Sequence, residues 1–174
     1  MRDSSTKRGL VPIVDARSHI LILGTLPGDE SLRKQQYYGH PQNQFWRMVY
    51  AAYGNPDADS YEAKIALAFR NGLAIWDVLH SATRDGSLDA AIQNPEPNAF
   101  GPFFERYRRI SAIGFNGRRA EQLFRHYVAK KDGHDPASAI RRIILPSTSP
   151  AATRPFEEKL VEWQVFLRDN APDF

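Results

Sequence analysis

The 174-residue chain contains no cysteine. Disulfides, thiol nucleophiles, thiolate zinc sites and cysteine-bound iron–sulfur clusters are therefore excluded. No apolar run approaches the roughly 18 residues of a membrane-spanning helix. The first nine residues are polar and charged, without the apolar segment of a secretory signal. We therefore expect a cytoplasmic protein that does not interact with membranes.

An excess of one charge is also nearly absent, because the net charge is only +3. The apolar fraction of 42% and the charged fraction of 25% are ordinary for a globular protein. The length suits one domain with a full core. We predict a frayed tail over residues 1–9 and a single domain over residues 10–174. The small basic excess favours a polyanionic partner only slightly.

Apolar runs alternate with segments of helical periodicity along the chain. Buried strands are predicted at residues 19–23, 73–79, 110–115 and 141–145. Helices are predicted at residues 43–53, 60–70 and 102–109, after residue 117, and from residue 156. Residues 80–98 are expected to form a long loop with a short helix near residues 88–92. This order predicts an α/β fold, a three-layer αβα sandwich with a small, mainly parallel four-stranded central sheet.

Polar segments follow three of the predicted strands. The first comprises Gly24, Thr25, Leu26, Pro27 and Gly28, and its loop continues through Tyr38, His40 and Asn43. Asn116 follows the third strand, and Pro146, Ser147, Thr148, Ser149 and Pro150 follow the fourth. The carboxyl ends of parallel strands meet at one edge of the sheet, where ligands bind. These segments are therefore predicted to converge on one site.

The residue types in these segments suit a planar, neutral ligand such as a nucleobase. Glycine allows close approach to the backbone, and an aromatic ring in a polar loop can stack on a base with about 1–3 kcal/mol. The hydroxyls between Pro146 and Pro150 suit a phosphate diester. Residues 24–28 are not a Walker phosphate loop, because the Lys-Ser/Thr pair is absent. We expect neither a metal nor a cofactor.

Each segment also has an ordinary structural explanation. The tyrosines could be core residues, Asn43 could cap the helix that follows it, and residues 146–150 could be a helix-entry loop. Asp77, at the end of the second strand, could line the same edge, although an ion pair or a cap is the commoner role. The coincidence of the first and last segments is more specific than either alone.

Residues 24–28, 35–46 and 145–150 together resemble the uracil-DNA glycosylase superfamily. The loop Gln-Gln-Tyr-Tyr-Gly-His-Pro-Gln-Asn-Gln-Phe-Trp is most similar to its hypoxanthine-DNA (deoxyinosine) glycosylase branch, which is related to the mismatch-specific uracil enzymes. The resemblance extends from the first strand to the last helix. It implies a monofunctional base-excision enzyme that flips a deaminated base, foremost hypoxanthine, out of double-stranded DNA. It further implies a nucleoid-associated monomer without an obligate protein partner.

The resemblance also implies roles for individual residues. Asn43 matches the catalytic asparagine, which would hold either water by its carbonyl or the departing base by its amide. Leu26 and Leu145 stand where most uracil enzymes carry a water-positioning residue and a histidine. Tyr38 matches the residue that stacks on the flipped base, and Asn116 the residue that recognises its edge. Ser147, Thr148 and Ser149 match the loop that pinches the DNA backbone and fills the vacated stack.

Three alternatives remain open at this point. The first is a mismatch-specific uracil or thymine glycosylase. The second is a non-catalytic DNA-binding member of the same fold, which Leu26 and Leu145 favour and Asn43 opposes. The third is a small-molecule hydrolase that acts on nucleosides and needs no serine-rich loop. A DNA enzyme should lose affinity steeply as salt rises, whereas a nucleoside hydrolase should not.

Overall fold

A computed structural model describes residues 6–57 and 59–171, apart from the side chain of Asp132. The strands are β1 (Thr6–Arg8), β2 (Ile20–Gly24), β3 (Leu73–Asp77), β4 (Leu79–Thr83), β5 (Gln93–Pro97), β6 (Ala112–Asn116) and β7 (Arg141–Leu145). The helices are α1 (Asp29–Lys34), α2 (Phe45–Ala52), α3 (Tyr61–Arg70), α4 (Phe100–Arg106), α5 (Arg118–Phe124) and α6 (Phe156–Asp169).

The central sheet has the strand order β3-β2-β6-β7, and its neighbouring strands are parallel. Every residue of β2 and β3 is buried, as expected for strands covered on both faces. Ile20 of β2 is paired with Leu73 on one side and Ala112 on the other. The predicted α/β fold with a four-stranded parallel sheet is therefore confirmed.

The two faces of the sheet carry different aromatic clusters. On one face, Trp163 of α6 packs edge-on against Phe45 of α2, with ring centroids 5.9 Å apart. On the other face, Phe124 of α5 packs against Phe100 of α4 and Phe115 of β6. These buried rings account for the apolar helix positions that the sequence pattern identifies, and they hold the helices on both sides of the sheet.

A second sheet has the order β1-β4-β5 with antiparallel pairs. The predicted loop over residues 80–98 is therefore wrong for β4 and β5, although a short 3₁₀ helix does occur at Asp89–Ala91. The strand β5 is polar and contains two prolines, which suits the edge of a small sheet but gives no alternating apolar pattern. Residues 1–5 of the predicted tail lie outside the described residues, whereas Thr6–Arg8 pair with β4.

Smaller differences concern the ends of elements. The helix α1 was not predicted, because Pro27 and Gly28 indicate an interruption of regular structure. The predicted strand over residues 73–79 divides after Asp77, where the chain leaves the central sheet and enters β4. Ser60 caps α3 as predicted, and its hydroxyl accepts a hydrogen bond from the Ala63 N–H at 3.2 Å. Among the described residues, no helix combines the length and apolarity that crossing a bilayer requires.

Candidate active site

A cavity of about 680 Å³ lies at the carboxyl ends of β2, β3 and β6. This volume is typical of a site for a small molecule or a single base. The predicted site residues that line it are Gly24, Thr25, Leu26, Pro27, Gly28, Tyr38, His40, Asn43, Asn116, Ser147, Thr148, Ser149 and Pro150. Pro146 is not part of the wall, and its carbonyl accepts a hydrogen bond from Trp163 Nε1 at 3.0 Å.

Asn43 has its side-chain amide fixed in one orientation. Its Oδ1 accepts hydrogen bonds from the Phe45 N–H and the Thr148 hydroxyl, each at 2.9 Å. Its Nδ2 has no hydrogen bond to any described residue. The contact with Phe45 is the local one expected of a residue that precedes a helix, so a capping role explains the position of the side-chain oxygen. It leaves the N–H₂ group as a free donor in the cavity wall.

Thr148 connects Asn43 to Asn116. Its hydroxyl accepts from Asn116 Nδ2, and its N–H donates to Asn116 Oδ1, both at 2.9 Å. Its carbonyl accepts from the Gln44 N–H at 3.0 Å. The side chain is completely buried. In this conformation the Thr148 hydroxyl is used inside the protein to hold the two asparagines, and the role of Thr148 in the loop that pinches the DNA backbone stays a prediction.

Asn116 has most of its hydrogen-bonding capacity occupied by Thr148. Its carbonyl oxygen and one of its two Nδ2 hydrogens are bonded there, which leaves one N–H, near the Tyr38 hydroxyl, that a ligand could accept. The glycine that follows, Gly117, has φ of +95° and donates its N–H to the Leu145 carbonyl at 3.0 Å. This turn, which favours glycine, places Asn116 at the sheet edge.

Tyr38 lines the cavity with one ring face already covered. Its ring stacks on Phe45, with centroids 3.9 Å apart and planes inclined by 24°. A base could therefore stack only on the opposite face. The hydroxyl is buried close to the Asn116 amide but forms no hydrogen bond of normal geometry with the described residues, and burial raises the pKa of Tyr38, so the phenol stays neutral.

The remaining predicted residues lie nearer the cavity rim. His40 is exposed, and its Nδ1 accepts the Gln42 N–H at 3.1 Å, which places a neutral ring's proton on Nε2. The hydroxyls of Ser147 and Ser149 accept the N–H groups of Ser149 and Ala151 at 3.2 Å. Both serines are partly exposed and Pro150 is exposed, so this part of the loop is accessible.

The loop at residues 24–28 is held from behind by Arg84. This side chain is fully buried and donates to the carbonyls of Leu26 and Pro27. It also pairs with Asp89 at 3.5 Å, and Asp89 accepts the Thr25 hydroxyl at 2.7 Å. The sequence did not reveal the roles of Arg84 and Asp89, because they lie in a polar stretch around Gly86 that gives no sign that Arg84 is buried.

Asp77 is a third residue whose place in the site the sequence did not reveal. It lines the cavity, is 5% exposed, and forms no ion pair or side-chain hydrogen bond with the described residues. Neither the predicted ion pair nor a cap therefore explains it. Burial, reinforced by the nearby Asp89 carboxylate and opposed by Arg84, raises the pKa of Asp77 to about 7. The sequence feature that could have identified it is its position at the carboxyl end of β3, where ligands bind in a parallel sheet.

The site therefore combines neutral donors with apolar surface, and its wall also carries the carboxyl groups of Glu30, Asp77 and Asp89. Leu26 contributes apolar surface where a polar group could have oriented water. No group of three or more metal-binding side chains occurs within residues 6–57 and 59–171. Such a site can bind a planar base and stabilise negative charge that develops on it, without a strong nucleophile.

Comparisons with known proteins agree with this geometry. Residues 11–169 match the family model of the uracil DNA glycosylase superfamily. A hypoxanthine DNA glycosylase of Methanosarcina acetivorans is 39% identical over 163 residues, which cover 93% of this chain and 98% of that protein. A hypoxanthine DNA glycosylase of Methanosarcina barkeri is 37% identical over 115 residues, covering 66% of this chain and 73% of that protein.

A solved structure is similar over nearly the whole chain. It is a solution NMR structure of a Methanosarcina acetivorans protein that was provisionally named a uracil DNA glycosylase. The TM-score is 0.76 at 38% sequence identity, and the match covers 95% of this chain and 98% of that one. The family match over residues 11–169 spans every segment that lines the cavity.

Proposed function

Because the chain belongs to the uracil DNA glycosylase superfamily, we propose that it excises hypoxanthine from DNA by hydrolysing the N-glycosidic bond. The observation that carries this proposal is the free N–H₂ group of Asn43, held in the cavity wall by the Thr148 hydroxyl. Two relatives at 37% and 39% identity bear the name hypoxanthine DNA glycosylase, which supports this choice of base.

The chemistry follows from how an N-glycosidic bond breaks. Positive charge develops on the sugar and negative charge on the leaving base, so donors aimed at the base lower the barrier. The Asn43 carbonyl is occupied by two donors. We therefore assign Asn43 the role of donating to the departing base, not that of holding water. The removal of one such donor costs about 10²–10³ in rate.

The other cavity residues would bind and expose the base. Tyr38 would stack on it with its uncovered face, and the free N–H of Asn116 would contact its edge. The accessible serines, Ser147 and Ser149, would approach the DNA backbone. Flipping a base from a duplex costs a few kcal/mol and is cheaper at a mismatch, which itself favours deaminated bases. We propose that the enzyme acts on duplex DNA as a monomer.

A single-turnover cleavage assay tests the proposal. Labelled duplexes would carry hypoxanthine, uracil, xanthine or thymine at one position, with an adenine duplex as control and no added metal. We expect the fastest alkali-sensitive cleavage at hypoxanthine. Faster cleavage at uracil would replace the proposal by a mismatch-type activity. Salt-sensitive binding without cleavage of any base would show a non-catalytic member of the fold.

A further inference from the structure

Asp77 is a buried acid that none of the roles assigned above uses. It is the last residue of β3, paired in register with Gly24 of β2, and both residues line the cavity. A Cβ atom at Gly24 would collide with Asp77 Oδ1 and would lie 3.2 Å from the Tyr38 hydroxyl. Gly24 thus leaves the space in which the carboxyl and the phenol come together at the cavity.

The two carboxyl oxygens of Asp77 have different surroundings. Oδ2 is closed off from solvent and has no hydrogen-bond partner among the described residues. Oδ1 lies over Gly24, beside the Tyr38 hydroxyl. An unpaired carbonyl oxygen is less costly to bury than an unpaired charge or O–H. The favoured form is therefore the neutral acid with its proton on Oδ1, next to the cavity.

We propose that Asp77, as a neutral acid, recognises the exocyclic oxygen of the flipped base by donating its Oδ1 proton to it. This inference rests on the proposed function and adds a specificity-determining residue to it. Hypoxanthine carries an oxygen acceptor at position 6, which can accept the Asp77 proton. Adenine carries an amino group there, so two donors would face each other. As the base departs, its oxygen gains negative charge and the hydrogen bond strengthens.

The environment of Asp77 predicts how the contact depends on pH. The charged groups that act on it are Arg84 and Asp89 from the connection between β4 and β5, and the phenols of Tyr37 and Tyr38 face it from the loop after α1. Loss of the Asp77 proton would remove the donor and would place a negative charge beside a base that leaves as an anion. We therefore expect excision of hypoxanthine to slow as pH rises above neutrality.

The test compares two bases and two variants by single-turnover kinetics. Hypoxanthine and unsubstituted purine differ at position 6, so only hypoxanthine offers the oxygen. We expect Asp77→Ala to lose about 10²–10³ in rate on hypoxanthine, with a much smaller change on purine. Asp77→Asn keeps an N–H donor and cannot ionise, so it should retain activity and lose the alkaline decline. Glu105→Gln, which removes an exposed carboxylate of α4 outside the cavity wall, should behave as wild type.

The outcomes separate this inference from the function on which it rests. Thermal melts of each variant would establish that it is folded at the assay temperature. Equal rate losses on both bases in Asp77→Ala, or an alkaline decline that persists in Asp77→Asn, would overturn the recognition role and leave the excision activity intact. If the wild-type enzyme cleaves no hypoxanthine duplex, the proposed function fails and this inference fails with it.

Discussion

At the residue scale, the orientation of the Asn43 amide decides between the two roles open to a catalytic asparagine. Its oxygen is already bonded to Phe45 and Thr148, whereas its nitrogen is free among the described residues. The same oxygen contacts could be kept by a carboxylate, which offers no N–H. Replacement by aspartate therefore separates donation to the base from the holding of water.

We expect Asn43→Asp and Asn43→Ala to lose similar activity, each about 10²–10³ in single-turnover rate. Binding to an uncleaved hypoxanthine duplex, measured by fluorescence anisotropy, should remain in Asn43→Ala. If Asn43→Asp were as active as wild type, the carbonyl would be the functional group and the donor role would be wrong. Full activity of Asn43→Ala would remove Asn43 from the mechanism altogether.

The hydroxyl of Thr148 connects two site residues, Asn43 and Asn116. Thr148→Val conserves shape but removes the acceptor for Asn116 and the donor to Asn43. We expect the transition state to lose about 1–3 kcal/mol of stabilisation, which is equivalent to a roughly 5- to 150-fold slower excision rate. Thr148→Ser keeps the hydroxyl and should remain close to wild type. Comparable losses in both variants would indicate that packing of the methyl group matters, not the hydrogen bonds.

Asp77 gives a prediction about stability that does not depend on activity. Burial raises the pKa of Asp77 to about 7 in the folded protein, against 3.8 for an aspartate in water. Between these values the folded state holds a proton that the unfolded chain has lost, so the free energy of unfolding falls as pH rises. Asp77→Asn removes this dependence. As pH rises from the unfolded-state pKa to the folded-state pKa, the free energy of unfolding of Asp77→Asn should increase relative to that of wild type by on the order of 4 kcal/mol. Urea unfolding at several pH values measures this, and a difference that stays constant with pH would contradict the assignment.

At the element scale, the small sheet supports the loop that forms one wall of the cavity. The strand β4 leads directly to Arg84, which donates to the carbonyls of Leu26 and Pro27. Arginine suits this position because its planar guanidinium bonds to several acceptors at once. The loop at residues 24–28 is thus held by an element far from it in sequence.

We expect Arg84→Lys to weaken this support, because one ammonium group cannot replace all of these contacts. The cost should be about 1–3 kcal/mol in the free energy of unfolding, with slower excision and nearly unchanged affinity for DNA. Arg108→Lys, which alters an exposed arginine, is the matched control. Unchanged stability and rate in Arg84→Lys would mean that the loop is held in place by other contacts.

Elements with a strong local pattern were predictable from the sequence, whereas elements formed by distant pairing were not. The strand β2 is a continuous apolar run, and the caps and periodicity of α3 are local features. In contrast, β5 is polar and becomes a strand only by pairing with β4. The strand β1 has the same origin, because its partner lies more than seventy residues later in the chain.

Some residues of the candidate site were likewise predictable from the sequence, and others were not. Residues that follow predicted strands, such as Asn43 and Asn116, could be placed together because a parallel sheet gathers carboxyl ends at one edge. The partnership of Thr148 with both asparagines required side-chain geometry. The burial of Asp77 and Arg84 was hidden for another reason, since charged residues are usually exposed and only the fold shows when they are not.

At the scale of the whole molecule, the two ends of the central sheet carry comparable pairs of exposed arginines. Arg118 and Arg119 follow Asn116 at the carboxyl edge, beside the cavity. Arg108 and Arg109 precede β6 at the opposite edge. A DNA glycosylase must place the backbone of its substrate against the cavity edge, so the first pair should contact phosphates and the second should not.

The salt dependence of DNA binding tests whether only the first arginine pair contacts phosphates. It also distinguishes a DNA enzyme from a nucleoside hydrolase. Each phosphate contact contributes about 0.9 to the slope of log affinity against log salt. We therefore expect the double variant Arg118→Gln and Arg119→Gln to reduce the slope by about 2, measured by anisotropy between low and physiological salt. Arg108→Gln with Arg109→Gln makes the same charge change and should keep the wild-type slope. Equal reductions would place the DNA elsewhere, and salt-independent cleavage of free deoxyinosine would point to a small-molecule substrate.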